Sequence, residues 1–166
     1  MESEPILNTN TPNTNITNVI NAITNLSSRP EWDDYFMSIA YLISKRSSCH
    51  RLHVGCVIVK DNRIVVTGYN GHIAKTEHIS IVKDGHEQAT IHAEMNAICD
   101  ASKRGAILDG CTAYISHFPC LNCTKMLIGA GIQSVVYGQD YKNDDIAYKL
   151  LDVAKVNIVQ YKTEKI

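Results

Sequence analysis

The sequence predicts an α/β fold, a three-layer α/β/α sandwich in which a mixed five-stranded sheet carries helices on both faces. Two features of the pattern lead there. From about residue 92 onward, short β-branched runs alternate with stretches of helical apolar periodicity, as parallel strands joined by helical crossovers do. Ahead of that, two β-branched runs meet at Asp61-Asn62 and read as an antiparallel hairpin, so the sheet is antiparallel in its first half and parallel in its second.

Taken in order, residues 1 to 28 are dominated by Asn and Thr, side chains that compete for local backbone hydrogen bonds and bury little apolar area. They are expected to form a flexible leader, in which Val19, Ile20 and Ile23 suit a short docking helix. Residues 29 to 166 are expected to be a single domain. It opens with a helix from Glu31 to Lys45, where Trp32, Tyr35, Phe36, Ile39, Ala40 and Ile43 recur at helical spacing behind an acidic first turn. HVGCVIVK and RIVVTGY supply the hairpin. The polar stretch from Asn70 to Thr90 is long for a structureless loop in a compact domain, and loops of that length often carry function. Beyond it come a helix from about His92 to Lys103, the strand CTAYIS, and a helix from about Cys120 to Gly129. The strand SVVYG, a helix from about Asp145 to Ala154 and the strand VNIVQY close the pattern, with no internal repeat.

At 166 residues and 45% hydrophobic, the chain can bury one real core. Sixteen Lys and Arg against seventeen Asp and Glu leave a formal charge of −1, without the basic excess that marks a polynucleotide-binding surface. A small, individually recognised substrate fits better. MESEPILN has neither the basic start nor the apolar core of a signal peptide, and no run approaches a membrane span, so a soluble, intracellular protein is expected. In that compartment the six cysteines are thiols or metal ligands rather than disulfides.

Two motifs carry chemistry: His92-Ala93-Glu94, and, after an intervening strand, Pro119-Cys120-Leu121-Asn122-Cys123. A catalytic zinc commonly takes three protein ligands, and one imidazole with two thiolates meets that count. CxxC spacing lets both thiolates reach one ion from a single helical turn. If both motifs open helices, the partial positive charge at each N-terminus favours thiolate and carboxylate there. Each motif alone is weak: CxxC also suits a redox pair or a structural zinc, and HxE arises by chance. Together and in this order they match the signature of zinc deaminases, in which the glutamate is a proton carrier and not a ligand.

With these residues in view, the chain resembles the deoxycytidylate (dCMP) deaminase family, from about Trp32 to Tyr161, and most closely its bacterial and viral forms. WDDYFM, RSSCHRLHVGCVIV, GYNG, HAEMNAI, HFPCLNCTKMLIGAGI and VVYGQDYKND resemble that family's segments in that family's order. The resemblance implies a cytidine deaminase-type fold and hydrolytic deamination of dCMP to dUMP and ammonia, supplying dUMP for thymidylate synthesis. It implies that His92, Cys120 and Cys123 bind one catalytic Zn²⁺, which acidifies a water for attack on the ring, and that Glu94 shuttles the protons. It further implies that Asn70 hydrogen-bonds the deoxyribose, that the backbone around Gly55 and Cys56 lines the base pocket, and that Ser116 meets the amino group. Arg46 and Arg51 would grip the phosphate, and Tyr141 would close over the nucleotide. A homo-oligomer, with a hexamer favoured, and control by dCTP and dTTP, with Mg²⁺ accompanying the triphosphate, belong to the same family picture.

The departures weigh against part of it. Cys56 stands where alanine is usual, Lys75 where many members carry glycine, and no cysteine occurs between Cys56 and Cys99. Nucleotide control is therefore less firmly implied, and a second, structural zinc built from Cys49 with His72, His78 and His86 is not expected. Three competing functions remain. One is a wider nucleotide range that takes dCTP as well as dCMP, and another is a nucleic-acid cytidine or adenosine deaminase, which the near-neutral charge disfavours. The third is a catalytically silent zinc scaffold, which the intact HxE and PCxxC disfavour.

Overall fold

The computed structural model describes residues 14–83 and 86–162, except for the side chains of Thr14 and His86. The chain divides into two units between Pro30 and Glu31. In the first, α1 (Thr14–Thr24) is an amphipathic helix of uncharged residues that leaves Ile16, Val19, Ile20 and Ile23 exposed. Part of the leader is thus helical where the sequence predicts a short helix, while residues 1–13 of it lie outside the described residues.

The second unit holds α2 (Trp32–Ser44), the hairpin β1 (Gly55–Lys60) and β2 (Arg63–Tyr69), and four two-residue strands. These are β3 (Gly71–His72), β4 (Val82–Lys83), β5 (His86–Glu87) and β6 (Thr90–Ile91). Then follow α3 (Ala93–Arg104), β7 (Thr112–His117), α4 (Leu121–Gly129), β8 (Ser134–Gln139), α5 (Asp145–Val153) and β9 (Asn157–Gln160). The five-stranded sheet runs β2-β1-β7-β8-β9. β1 is antiparallel to both β2 and β7, whereas β7, β8 and β9 are parallel, so the mixed sheet has the predicted division. Asp61 and Asn62 both adopt positive φ, 50° and 58°, as a two-residue hairpin turn between right-twisted strands requires.

Alternation along the strands sorts the core into two layers. Val57 and Val59 of β1 face α2 with Tyr114 and Val136, against Phe36, Met37 and Ala40. Cys56 and Ile58 face the other way with Ala113, Ile115 and Val135, toward α3, α4 and α5. Strands buried on both faces read as continuous apolar runs, which is why GCVIV shows no polar–apolar alternation. The helical face of α3 is built from Ala93, Ala97 and Ala101, all buried, and small side chains let it lie close to the sheet. Gly68 of β2 makes that approach possible: a Cβ there would sit 2.3 Å from the Ala93 carbonyl oxygen and 2.6 Å from the Ala97 nitrogen. The start of α3 is thereby pinned against the end of β2, and Asn96 Nδ2 donates to the Tyr69 carbonyl at 2.8 Å to close the joint. None of the described helices is long and apolar enough to cross a membrane.

Candidate active site

His92 and Cys120 occupy equivalent places. Each is the N-cap residue of its helix, α3 and α4, with extended backbone, and neither side chain caps its own helix. Both are free to point across at the other, while the unpaired first-turn N–H groups lend each helix start a partial positive charge. Cys123 lies one turn into α4 and is buried. The Nδ1 atom of His92 stands 3.4 Å from Cys120 Sγ and 3.4 Å from Cys123 Sγ. Tetrahedral coordination, with Zn–N of about 2.0 Å and Zn–S of about 2.3 Å, puts nitrogen and sulfur roughly 3.5 Å apart. The donor set and its spacing therefore fit a zinc ion. Among the described residues, this is the group of three metal-ligating side chains whose donor atoms gather, all within 4.8 Å of one another.

The electrostatics agree with that use. Hydrogen bonds from Cys123 and His92 hold the Cys120 thiol down to about 4, so it ionises readily, whereas Cys123, the donor in that pair, is held up. His92 is raised by its bond to Cys120. Glu94, on the first turn of α3 and 4% exposed, is raised above the ordinary carboxylate range by burial, with the Cys123 thiol beside it. A carboxyl group pushed toward neutrality next to a metal site is suited to taking up and returning a proton.

These residues open into a cavity of about 450 Å³, whose wall includes His92, Glu94, Cys120, Asn70, Arg51 and Tyr141. Asn70 is nearly buried and does double duty in the wall. Its Oδ1 accepts the Val54 N–H at 2.7 Å and its Nδ2 donates to the Leu52 carbonyl at 2.7 Å, clipping the segment that leads into β1. Three other residues singled out in the sequence lie outside the cavity wall. Arg46 is exposed just beyond the C-terminus of α2. The Cys56 side chain is sealed in the core among Ile58, Ala93 and Ala97, its thiol kept protonated by burial and by Glu94. Ser116 is fully buried, and its hydroxyl accepts from Gly55 N at 3.1 Å and lies 2.9 Å from His117 Nδ1. Sequence reasoning passed over Glu87, His117 and Lys142 and weighed Cys49 only for a second zinc, yet all four line the cavity. His117 and Lys142 adjoin Ser116 and Tyr141, so proximity in sequence was the available signal. Glu87 lies in the two-residue strand β5 and Cys49 outside any helix or strand, and neither offered one.

Residues 30–139 match the cytidine and deoxycytidylate deaminase zinc-binding region. The chain belongs to that family. It is 43% identical over 141 residues to ComE operon protein 2 of Bacillus subtilis, covering 82% of this chain and 75% of that protein. It is 37% identical over 143 residues to the deoxycytidylate deaminase of Saccharomyces cerevisiae, covering 80% of this chain but 46% of the yeast enzyme, so it spans less than half of that relative. Among solved structures, dCMP deaminase from the cyanophage S-TIM5, crystallised with dCMP and dUMP, is 30% identical with a TM-score of 0.73. The match covers 81% of this chain and 99% of that one.

Proposed function

We propose that this chain, a hydrolytic deaminase by family, converts dCMP to dUMP and ammonia inside the cell, where its six free cysteines stay reduced. The observation that carries the reading is the junction of His92, Cys120 and Cys123 with buried Glu94 at one end of a cavity that also holds Asn70, Arg51 and Tyr141. The S-TIM5 relative, which the chain matches along nearly its whole length, was solved with this substrate and product. His92, Cys120 and Cys123 would hold the ion, and zinc bound there would acidify a water molecule near neutral pH. Glu94 accepts the proton released as water adds to C4 and passes it to ring N3; it then takes the proton of the new C4 hydroxyl and gives it to the amino group, so that the C4 carbonyl forms, the C4–N bond breaks and ammonia leaves.

Asn70 keeps one N–H and one lone pair beyond its two structural bonds, enough to engage a deoxyribose hydroxyl. Arg51, with Lys142, suits the phosphate better than Arg46, because both line the cavity and Arg46 does not. The backbone beside Cys56 and the buried Ser116 would act on the base through main-chain atoms. The active form is a homo-oligomer, with a hexamer favoured, and one Zn²⁺ per chain. A zinc assay coupled to ammonia release on dCMP, dCTP, CMP, deoxycytidine and single-stranded DNA tests the reading. Turnover confined to dCMP is expected. Preference for dCTP or for DNA overturns the substrate, and no ammonia from any of them overturns the activity.

A further inference from the structure

His117 ends β7, is 9% exposed, and forms part of the cavity wall three residues before Cys120. Its Nδ1 is taken by the protein. Gly55 donates its N–H to Ser116 Oγ at 3.1 Å, which leaves the hydroxyl hydrogen of Ser116 to go to His117 Nδ1, 2.9 Å away. Nδ1 is then the acceptor nitrogen and Nε2 carries the proton. Gln139, the register partner of His117 across β7 and β8, lies near the imidazole and near the Tyr41 hydroxyl on α2. Gly138 leaves room for that hydroxyl, since a Cβ there would sit 2.1 Å from it.

The bonds from Gly55 to Ser116 and from Ser116 to His117 thus fix the ring's orientation and its proton. Burial pushes the imidazole below its ordinary range, which agrees with an uncharged ring. With Nδ1 engaged by Ser116, His117 presents its ring to the cavity. Tyr141 stands edge-on to it, with centroids 6.3 Å apart and planes at 89°, so the two rings make an aromatic corner. Arg51 and Lys142 bring positive charge to the same cavity, the Lys142 ammonium lying 6.0 Å from the Tyr141 ring centroid, whereas the His117 ring itself brings none.

We propose that His117 is a further specificity-determining residue, forming with Tyr141 an uncharged aromatic wall that receives the pyrimidine ring rather than the phosphate. The inference rests on the proposed deaminase activity. The test compares His117→Ala, His117→Phe and His117→Asn for zinc content and for kcat and KM on dCMP and deoxycytidine. Alanine removes ring and hydrogen bonds, phenylalanine keeps the ring, and asparagine keeps an acceptor near Nδ1.

Alanine and asparagine are expected to raise KM about tenfold, the scale of losing one base–aromatic stack, with zinc content unchanged. The rise should be equal for dCMP and deoxycytidine. Phenylalanine should stay within about threefold of the wild-type KM, because the stacking surface remains. If the alanine variant does not fold, the phenylalanine and asparagine pair decides alone, since it sets ring against hydrogen bond. A normal asparagine variant beside an impaired phenylalanine variant overturns the inference, as does an effect on dCMP that deoxycytidine does not share. A wild-type protein that releases no ammonia from dCMP overturns the proposed function and this wall with it; an active wild type with unmoved variants overturns the wall alone.

Discussion

Replacing Glu94 with Gln keeps the length of the side chain and its place beside Cys123 but removes the group that carries a proton. Acid–base catalysis by a positioned side chain contributes about 10²–10⁴ in rate, so kcat should fall at least ~100-fold while zinc stays at the wild-type level. Metal analysis beside ammonia release checks this, and loss of zinc together with activity would make Glu94 a ligand. The clustering of the three candidate ligands was legible because it is local: N-cap spacing and CxxC fix where His92, Cys120 and Cys123 stand relative to their own helices. The direction of Cys56 and Ser116 was not, because it depends on sheet register. Cys56 pairs with Gly68 and Ile115, and that register turns its side chain into the α3 layer. Asn70 was readable as a polar residue at the site but not as a clip, since its partners Leu52 and Val54 lie on a segment whose path no local pattern sets.

Among elements, the stretch between β3 and β6 is the part the sequence left open. Two-residue strands have no periodicity to read, and their pairing rests on side chains reaching back to the backbone. Glu87 supplies most of that: its carboxylate accepts from the Ser80 hydroxyl and from the N–H groups of Ile81 and Ala89, at 2.9 Å each for the last two. Those bonds pull Glu87 down to about 2. A glutamate whose folded-state value is lowered contributes stability that is complete above its unfolded value of about 4.3 and vanishes as pH falls toward the folded one. Amide exchange protection at Ile81 and Ala89 should therefore hold from neutral pH to about 4.3 and decline between there and about 2. Glu87→Gln should flatten that decline. Equal profiles for the two proteins would show that the carboxylate does not hold β4 and β5 together. Lys75 shows the same limit of local reading: it adopts φ 70°, the left-handed conformation that glycine takes easily, so the backbone makes a glycine-like bend although the residue is lysine. By contrast, the long helices and the five sheet strands were legible to within a residue or two, because their apolar patterns repeat over enough positions to set a period.

For the whole molecule, the question is what the leader adds. The family match begins at residue 30, the structural division falls between Pro30 and Glu31, and every residue lining the cavity lies beyond it. The S-TIM5 dCMP deaminase chain is covered over 99% of its length by 81% of this chain. The zinc donors, Glu94 and the Asn70 clip all draw their support from α2, α3, α4 and the sheet. A chain beginning at Glu31 should therefore keep its zinc, and its kcat/KM for dCMP should stay within about twofold of the full-length value, because no transition-state contact is removed. Light scattering on both forms then separates two roles for α1. Equal numbers of subunits with equal kcat/KM leave it outside the catalytic assembly. Fewer subunits with reduced kcat/KM would instead show that the uncharged stripe of Ile16, Val19, Ile20 and Ile23 holds copies of the chain together in the arrangement that catalysis needs.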